Sequence, residues 1–365
     1  MASDLVAYVS KLLPGAPLDL SAELKRKDAA AVLAAVRPKL PQLLALPAAT
    51  DVEGAFALLW DVALALPEPA AGARELLQLV KDQQDASPVL RLRVAAALFN
   101  KARALPAVQL QALLDVLALA ASSGNAALVA PYLSQVDTLL DAPVEGRRQL
   151  LLAAAAVLEQ GDDQLKLLQT LDKYLATFEA GQSAKEQAQQ AAKIVLQNPV
   201  AAFLARVDLA ARPVVQTALE GSKLGELLDI VSTKTLKEFA AFQKNAGGVF
   251  TENGLVKAEL ADTMRLFTLC TLPTGFKEIP YAQVAAELHV DEQDVEKWVV
   301  RAITLGLVSA KINQLARTVT ISRSLQRRFG AEQWQEMDAK LQLYKKNVGG
   351  LLDIIRNARR AQEQQ

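Results

Sequence analysis

At 365 residues, 52% apolar and only 5% aromatic, the chain can bury a large core, and its Ala/Leu-rich make-up points to helices and away from a β-sandwich. Forty basic residues balance forty acidic ones, which excludes a global field drawing the chain to nucleic acid or to an anionic membrane. A single cysteine, Cys270, leaves no internal disulfide, as expected in a reducing compartment.

The start, Met1-Ala2-Ser3-Asp4-Leu5, has no basic segment ahead of an apolar run, so no secretory signal is expected. The longest purely apolar run, 150–158, falls short of the ~20 residues that span a bilayer. A soluble, cytoplasmic protein without a membrane partner is the expectation. Residues 1–87 read as a helical region interrupted by Pro14, Pro17, Pro38, Pro41, Pro47, Pro67 and Pro69, with Lys25-Arg26-Lys27 as a solvated face. From residue 88 onward, turn signals at Leu105-Pro106, Ser122-Ser123-Gly124-Asn125, 141–146, 161–163, 181–183 and Asn198-Pro199 separate segments of about 14–18 residues with helical spacing. Leu110, Leu113, Leu114 and Leu117 form one stripe, and Leu128, Val129, Tyr132, Leu133, Val136, Leu139 and Leu140 a wider one. Two helices with their turns recur at about 35–40 residues, the spacing of a helical-repeat solenoid, over 88–261. No tetratricopeptide consensus accompanies it.

Residues 262–323 change character. Helical patterns over 263–272, 281–288 and 291–305 precede two runs that alternate apolar and polar residues, 307–312 and 318–322, joined by the short link 313–317. Three helices and a small hairpin make a winged helix. Val308, Ala310, Ile312, Val319 and Ile321 are expected on the inner face of that hairpin, and Thr320 on a free edge able to accept a neighbour's strand. Trp298, with Val295, Val299 and Ala302, is expected in the core. The last part, 324–365, reads as one helix in which Met337, Leu341, Tyr344, Val348, Leu351, Ile355 and Ala358 alternate spacings of four and three, a heptad seam suited to a helix bundle. Gly349-Gly350 weakens that helix, so order beyond about residue 347 is expected only with partner helices.

The chemistry of an enzyme is missing from this pattern. One histidine, His289, excludes a two-histidine metal site, and its place at a helix end reads as structural. Cys270 lies on an apolar helix and reads as core. Gly247-Gly248 and Gly349-Gly350 are doublets without the rest of a phosphate cradle, and Asp162-Asp163 sits where helix capping explains it. No cofactor, metal or small-molecule substrate is implied. The third winged-helix segment begins Asp291-Glu292-Gln293-Asp294, an acidic end that repels phosphate where a recognition helix would meet DNA. Arg317, Arg323, Arg327 and Arg328 leave room for weak RNA contact at most, with a solvated or partner-facing patch as the plainer reading.

A helical repeat that runs into a winged helix and ends in a long helix resembles the PCI family, the scaffold subunits of the proteasome lid, the cullin-regulating signalosome and eukaryotic initiation factor 3. Segments such as Asn198-Pro199, Pro213-Val214-Val215-Gln216, Lys277-Glu278-Ile279-Pro280-Tyr281, Val295-Glu296-Lys297-Trp298-Val299, Lys311-Ile312-Asn313-Gln314 and Phe329-Gly330 carry the resemblance, over about residues 88–348. They look most like the initiation-factor branch, with the signalosome and lid scaffolds as the alternative. The resemblance implies a mainly all-α fold, non-catalytic, whose wing and terminal helix join other PCI and MPN subunits and, through the complex, the small ribosomal subunit.

Overall fold

The computed structural model describes residues 2–13, 29–83, 86–133, 136, 143–179, 182, 184–275, 277–327 and 331–363. Pro14, Pro17, Lys25-Arg26-Lys27, Leu139, Leu140 and Arg328, singled out above, lie outside the described residues. The fold is mainly helical, with one small antiparallel sheet near the C-terminal end. The chain divides into two compact units, Met1–Ala191 and Ala192–Gln365.

In the first unit the helices Ala49–Ala63, Pro88–Lys101, Pro106–Ser123, Val144–Leu158 and Gln164–Leu175 each pack on a neighbour close in sequence, as in a helical repeat. Their ends follow from local chemistry. Pro69, Pro88 and Pro106 occupy the first turn, where the missing N–H costs nothing. Gly124, at φ +68°, closes Pro106–Ser123 in the left-handed region that glycine adopts without strain. Arginines seal other helix ends. Arg91 donates to the carbonyls of Val80 and Lys81 at the end of Pro69–Asp82, and Arg148 donates to the carbonyl of Thr177 just past Gln164–Leu175. The stripe from Leu128 does not form one long helix. A short 3-10 turn, Ala126–Val129, gives way to Ala130–Leu133, and Leu128 is exposed. Pro131 explains the break, because its ring suits the first turn of a new helix and not the interior of an old one.

In the second unit short helices, among them Pro199–Leu204, Lys223–Thr233 and Leu236–Asn245, lead to the winged helix. Its helices are Lys257–Thr271, Tyr281–Leu288 and Val295–Thr304, and its strands are β1 (Glu278–Pro280), β2 (Val308–Asn313) and β3 (Thr318–Ser324), in the order β1-β3-β2. Leu266, Cys270, Ile279, Val284, Leu288, Val295, Val299, Ala302, Leu307, Val319 and Ile321 form its core. Burial pushes the Cys270 thiol up to about 11, and its Sγ faces the carbonyl of Leu266 at 3.5 Å, so the thiol is a core group. Trp298 is only half-buried against this core. It sits at the border of the stripe, where Arg265 and Arg301 each lie 5.5 Å from its ring. The helix Ala331–Glu363 completes the described chain.

Candidate assembly surfaces

Two surfaces carry unsatisfied bonding or unburied apolar area, and both lie in the second unit. The first is the sheet. β3 is its central strand: Thr320 pairs with Glu278 of β1 on one side and with Lys311 of β2 on the other. Thr320 is therefore not an edge residue, and Val319 and Ile321 beside it are equally enclosed. The physical reason is β1, a three-residue strand containing Pro280 that occupies what would have been the free side of the hairpin. Of the residues expected on the hairpin's inner face, Val308, Ala310 and Ile312 lie on a strand with an open side, and the side chain of Val308 is buried in the core. A bulge between Ser309 and Ala310 confines the regular run to residues 310–313. The opposite edge, β1, offers little, since Pro280 has no N–H to donate.

The wing is held in place by side chains that periodicity could not connect. Glu296 accepts from the Tyr281 hydroxyl at 2.9 Å and from the Gln314 amide at 2.8 Å, while Arg317 lies 3.6 Å from Glu292. Burial and the neighbouring carboxylate raise the pKa of Tyr281. The acids of the third helix thus brace the hairpin tip, and Lys297 bonds Asp294 at 2.8 Å. Among the described residues these arginines do not gather into a basic patch. Arg317 faces Glu292, Arg323 is exposed on β3, and Arg327 turns inward, donating to the Val231 carbonyl at 3.2 Å with its guanidinium 5.6 Å from the Phe267 ring. Burial lowers the pKa of Arg327, the mark of a partly desolvated cation.

The second surface is the C-terminal helix. Met337, Leu341, Tyr344, Val348, Leu351 and Ile355 are all exposed, and Leu343, Leu352 and Ile354 with them. The helix runs unbroken through Gly349-Gly350 to Glu363, where the sequence led us to expect order only in an assembly. Two glycines within one turn weaken a 33-residue helix without ending it.

Among the described residues no group of three or more His, Cys, Asp or Glu is placed to hold a metal, and no helix is long and apolar enough to cross a membrane. An open cleft of about 590 Å³ is lined by Leu196, Pro199, Leu204, Val256, Arg301 and Leu305, among others. His289 is exposed and closes Tyr281–Leu288 in the left-handed region.

Residues 226–323 match the PCI domain, a span that ends with the wing. A PCI domain is therefore matched over the end of the helical part and the winged helix. Curated relatives similar to this chain are named eukaryotic translation initiation factor 3 subunit M. That of Dictyostelium discoideum is 27% identical over 86% of this chain and 80% of its own length. The relative in Phaeosphaeria nodorum is 29% identical over 73% of this chain, and the one in Aspergillus oryzae 30% over 74%. The match spans 62% of the length of each of these two fungal proteins.

Proposed function

We propose that this chain is a non-catalytic scaffold subunit of the cytoplasmic translation initiation factor 3 complex, supporting its assembly and its binding to the small ribosomal subunit. The observation that carries the reading is the pairing of a PCI domain with relatives named subunit M of that factor. Two physical features support it. The open side of β2 presents backbone groups that a neighbouring wing can pair with. The apolar seam of the C-terminal helix, with Leu341, Tyr344, Val348, Leu351 and Ile355, suits a common bundle with other PCI and MPN subunits. Contact with RNA is weak or absent in this reading, because an acidic 3-10 turn, Glu292–Asp294, precedes the third helix and the described arginines are dispersed.

Purification of the native complex through a tagged copy of this chain tests the proposal. Initiation factor subunits and small ribosomal proteins are the expected companions; cullins with signalosome subunits, or proteasome lid subunits, would replace this reading with the other PCI scaffolds.

A further inference from the structure

Ion pairs in the first unit differ in how much water reaches the carboxylate. Glu53, Asp61, Glu75 and Asp163 each pair with a cation while between 28% and 49% of the side chain stays exposed. Asp115, midway along Pro106–Ser123, is the exception, with a side chain only 5% exposed. Its Oδ1 accepts from the Lys81 ammonium and from the Gln111 amide, each at 3.2 Å. Little water can take the place of those donors, and of the two only Lys81 brings a charge.

Lys81 is the reverse case. It stands in the last turn of Pro69–Asp82 with its side chain 45% exposed, so the amine that compensates a buried carboxylate is itself open to reagents. The same residue ties a third helix, because its carbonyl accepts from Arg91 of Pro88–Lys101 at 2.6 Å. One exposed lysine thus fastens the end of its helix to the two that follow.

We infer that Lys81 is a modification site, at which acylation by a thioester donor opens the contact between Pro69–Asp82 and Pro106–Ser123. The ammonium gives one proton to solvent and the amine attacks the thioester carbonyl. The C–N bond forms as the C–S bond breaks, and the thiol leaves with the second proton. The acylated nitrogen keeps one N–H and loses its charge, which leaves the Asp115 carboxylate buried among neutral donors. At Lys101 the same reaction has little effect, since its partner Asp61 is 30% exposed and water takes over.

Full-length chains carrying Nε-acetyl-lysine at position 81 or at position 101 test the inference by hydrogen exchange. Exchange over 106–123 is expected to quicken at least about ten-fold with the acetyl group at 81, and less than about two-fold with it at 101. In an Asp115→Asn background the acetyl group at 81 has no further effect, because no buried charge remains. Unchanged exchange with the group at 81, equal quickening from 101, or an effect that persists with Asp115→Asn overturns the inference. Should the chain acetylated at 81 fail to fold, recovery of folding with Asp115→Asn supports the inference and continued failure overturns it. Acetic anhydride followed by peptide mapping tests reach: Lys81 is expected to react in the native parent chain, and resistance until denaturant is added likewise overturns its assignment as a modification site.

Discussion

The winged helix and the C-terminal helix lie in one unit, and each carries a stripe of aliphatic residues, yet they treat it in opposite ways. Val295, Val299, Val319 and Ile321 are at most 1% exposed, while Leu351 and Ile355 are 60% and 62% exposed. Burying one such side chain contributes about 1.5–3 kcal/mol, which the winged helix collects from its own sheet and helices. On the C-terminal helix the same contribution is unrealised within the chain. An apolar stripe states which side chains need cover; the topology around it decides whether the cover is internal.

The largest expected effect follows from that contrast. Ile321→Asp places a charge in a closed core without a partner and should cost more than about 3 kcal/mol, whereas Leu351→Asp with Ile355→Asp should leave the stability of the free chain within about 0.5 kcal/mol while abolishing incorporation into the complex. Cys270 reports on the difference. Its buried thiol, raised to about 11, should resist alkylation at pH 8 in the parent chain and in Leu351→Asp/Ile355→Asp, and react rapidly in Ile321→Asp. Equal losses of stability in the two variants would mean that the C-terminal helix packs internally, and the contrast would vanish.

The junction between the two regions sets the next test. Beyond β3 the chain is fastened at Leu325, whose N–H bonds the Leu307 carbonyl at 2.9 Å, and at Arg327, whose guanidinium reaches Val231 at the end of the helix Lys223–Thr233. Arg327→Met keeps most of the apolar stem and removes the charge-assisted bond and the ring contact, so a loss of about 1–2 kcal/mol is expected in denaturant unfolding. Arg327→Lys should recover little of it, since an ammonium cannot match the planar guanidinium over Phe267. Parent-like stability in both variants would show that the arginine carries no weight at the junction.

What the sequence made legible divides along the same line. The helix 281–288 was readable to the residue, because Pro280 sets its start and its apolar spacing stops at Leu288. Both hairpin strands were readable to within two residues. β1 was not, since three residues including a proline have no strand character until β3 lies beside them. That missing strand is why Thr320 reads as an edge from sequence and is central in the fold. The clamp of Tyr281 and Gln314 on Glu296 was hidden for a similar reason: the partners stand 15 and 18 positions from it, and only the packing brings them together. The four-and-three spacing from Met337 to Ile355 is a local pattern carried on one helix, whereas its order past residue 347 was expected only in an assembly.

Trp298 sharpens the boundary between buried and unburied stripes. Its spacing places it with the core, but it is half-exposed, and Arg265 and Arg301, both bound to Asp262, flank its ring. Trp298→Ala should therefore cost about 2 kcal/mol in thermal unfolding of the full chain, below the 3–5 kcal/mol of a wholly buried tryptophan. A cost at the upper end would place it with Val295 and Val299. No loss, accompanied by tryptophan quenching on titration with single-stranded RNA, would make it a stacking platform.

The smallest effect expected lies at Gly350. It occupies a helical position with open space where a Cβ would stand, and the heptad places it away from the seam. Glycine costs about 1 kcal/mol relative to alanine inside a helix, so Gly350→Ala favours the helical state by that amount while leaving every seam residue in place. Circular dichroism of the free chain should show a small rise in helicity. Affinity for the complex should rise by at most about five-fold, because part of what docking spends on ordering the helix is removed in advance. A rise in helicity with unchanged affinity would mean that the free helix is already fully formed, as the winged-helix segments are. A fall in affinity would place a partner's backbone against Gly350, too close for a methyl group, and the docking face would then extend beyond the seam.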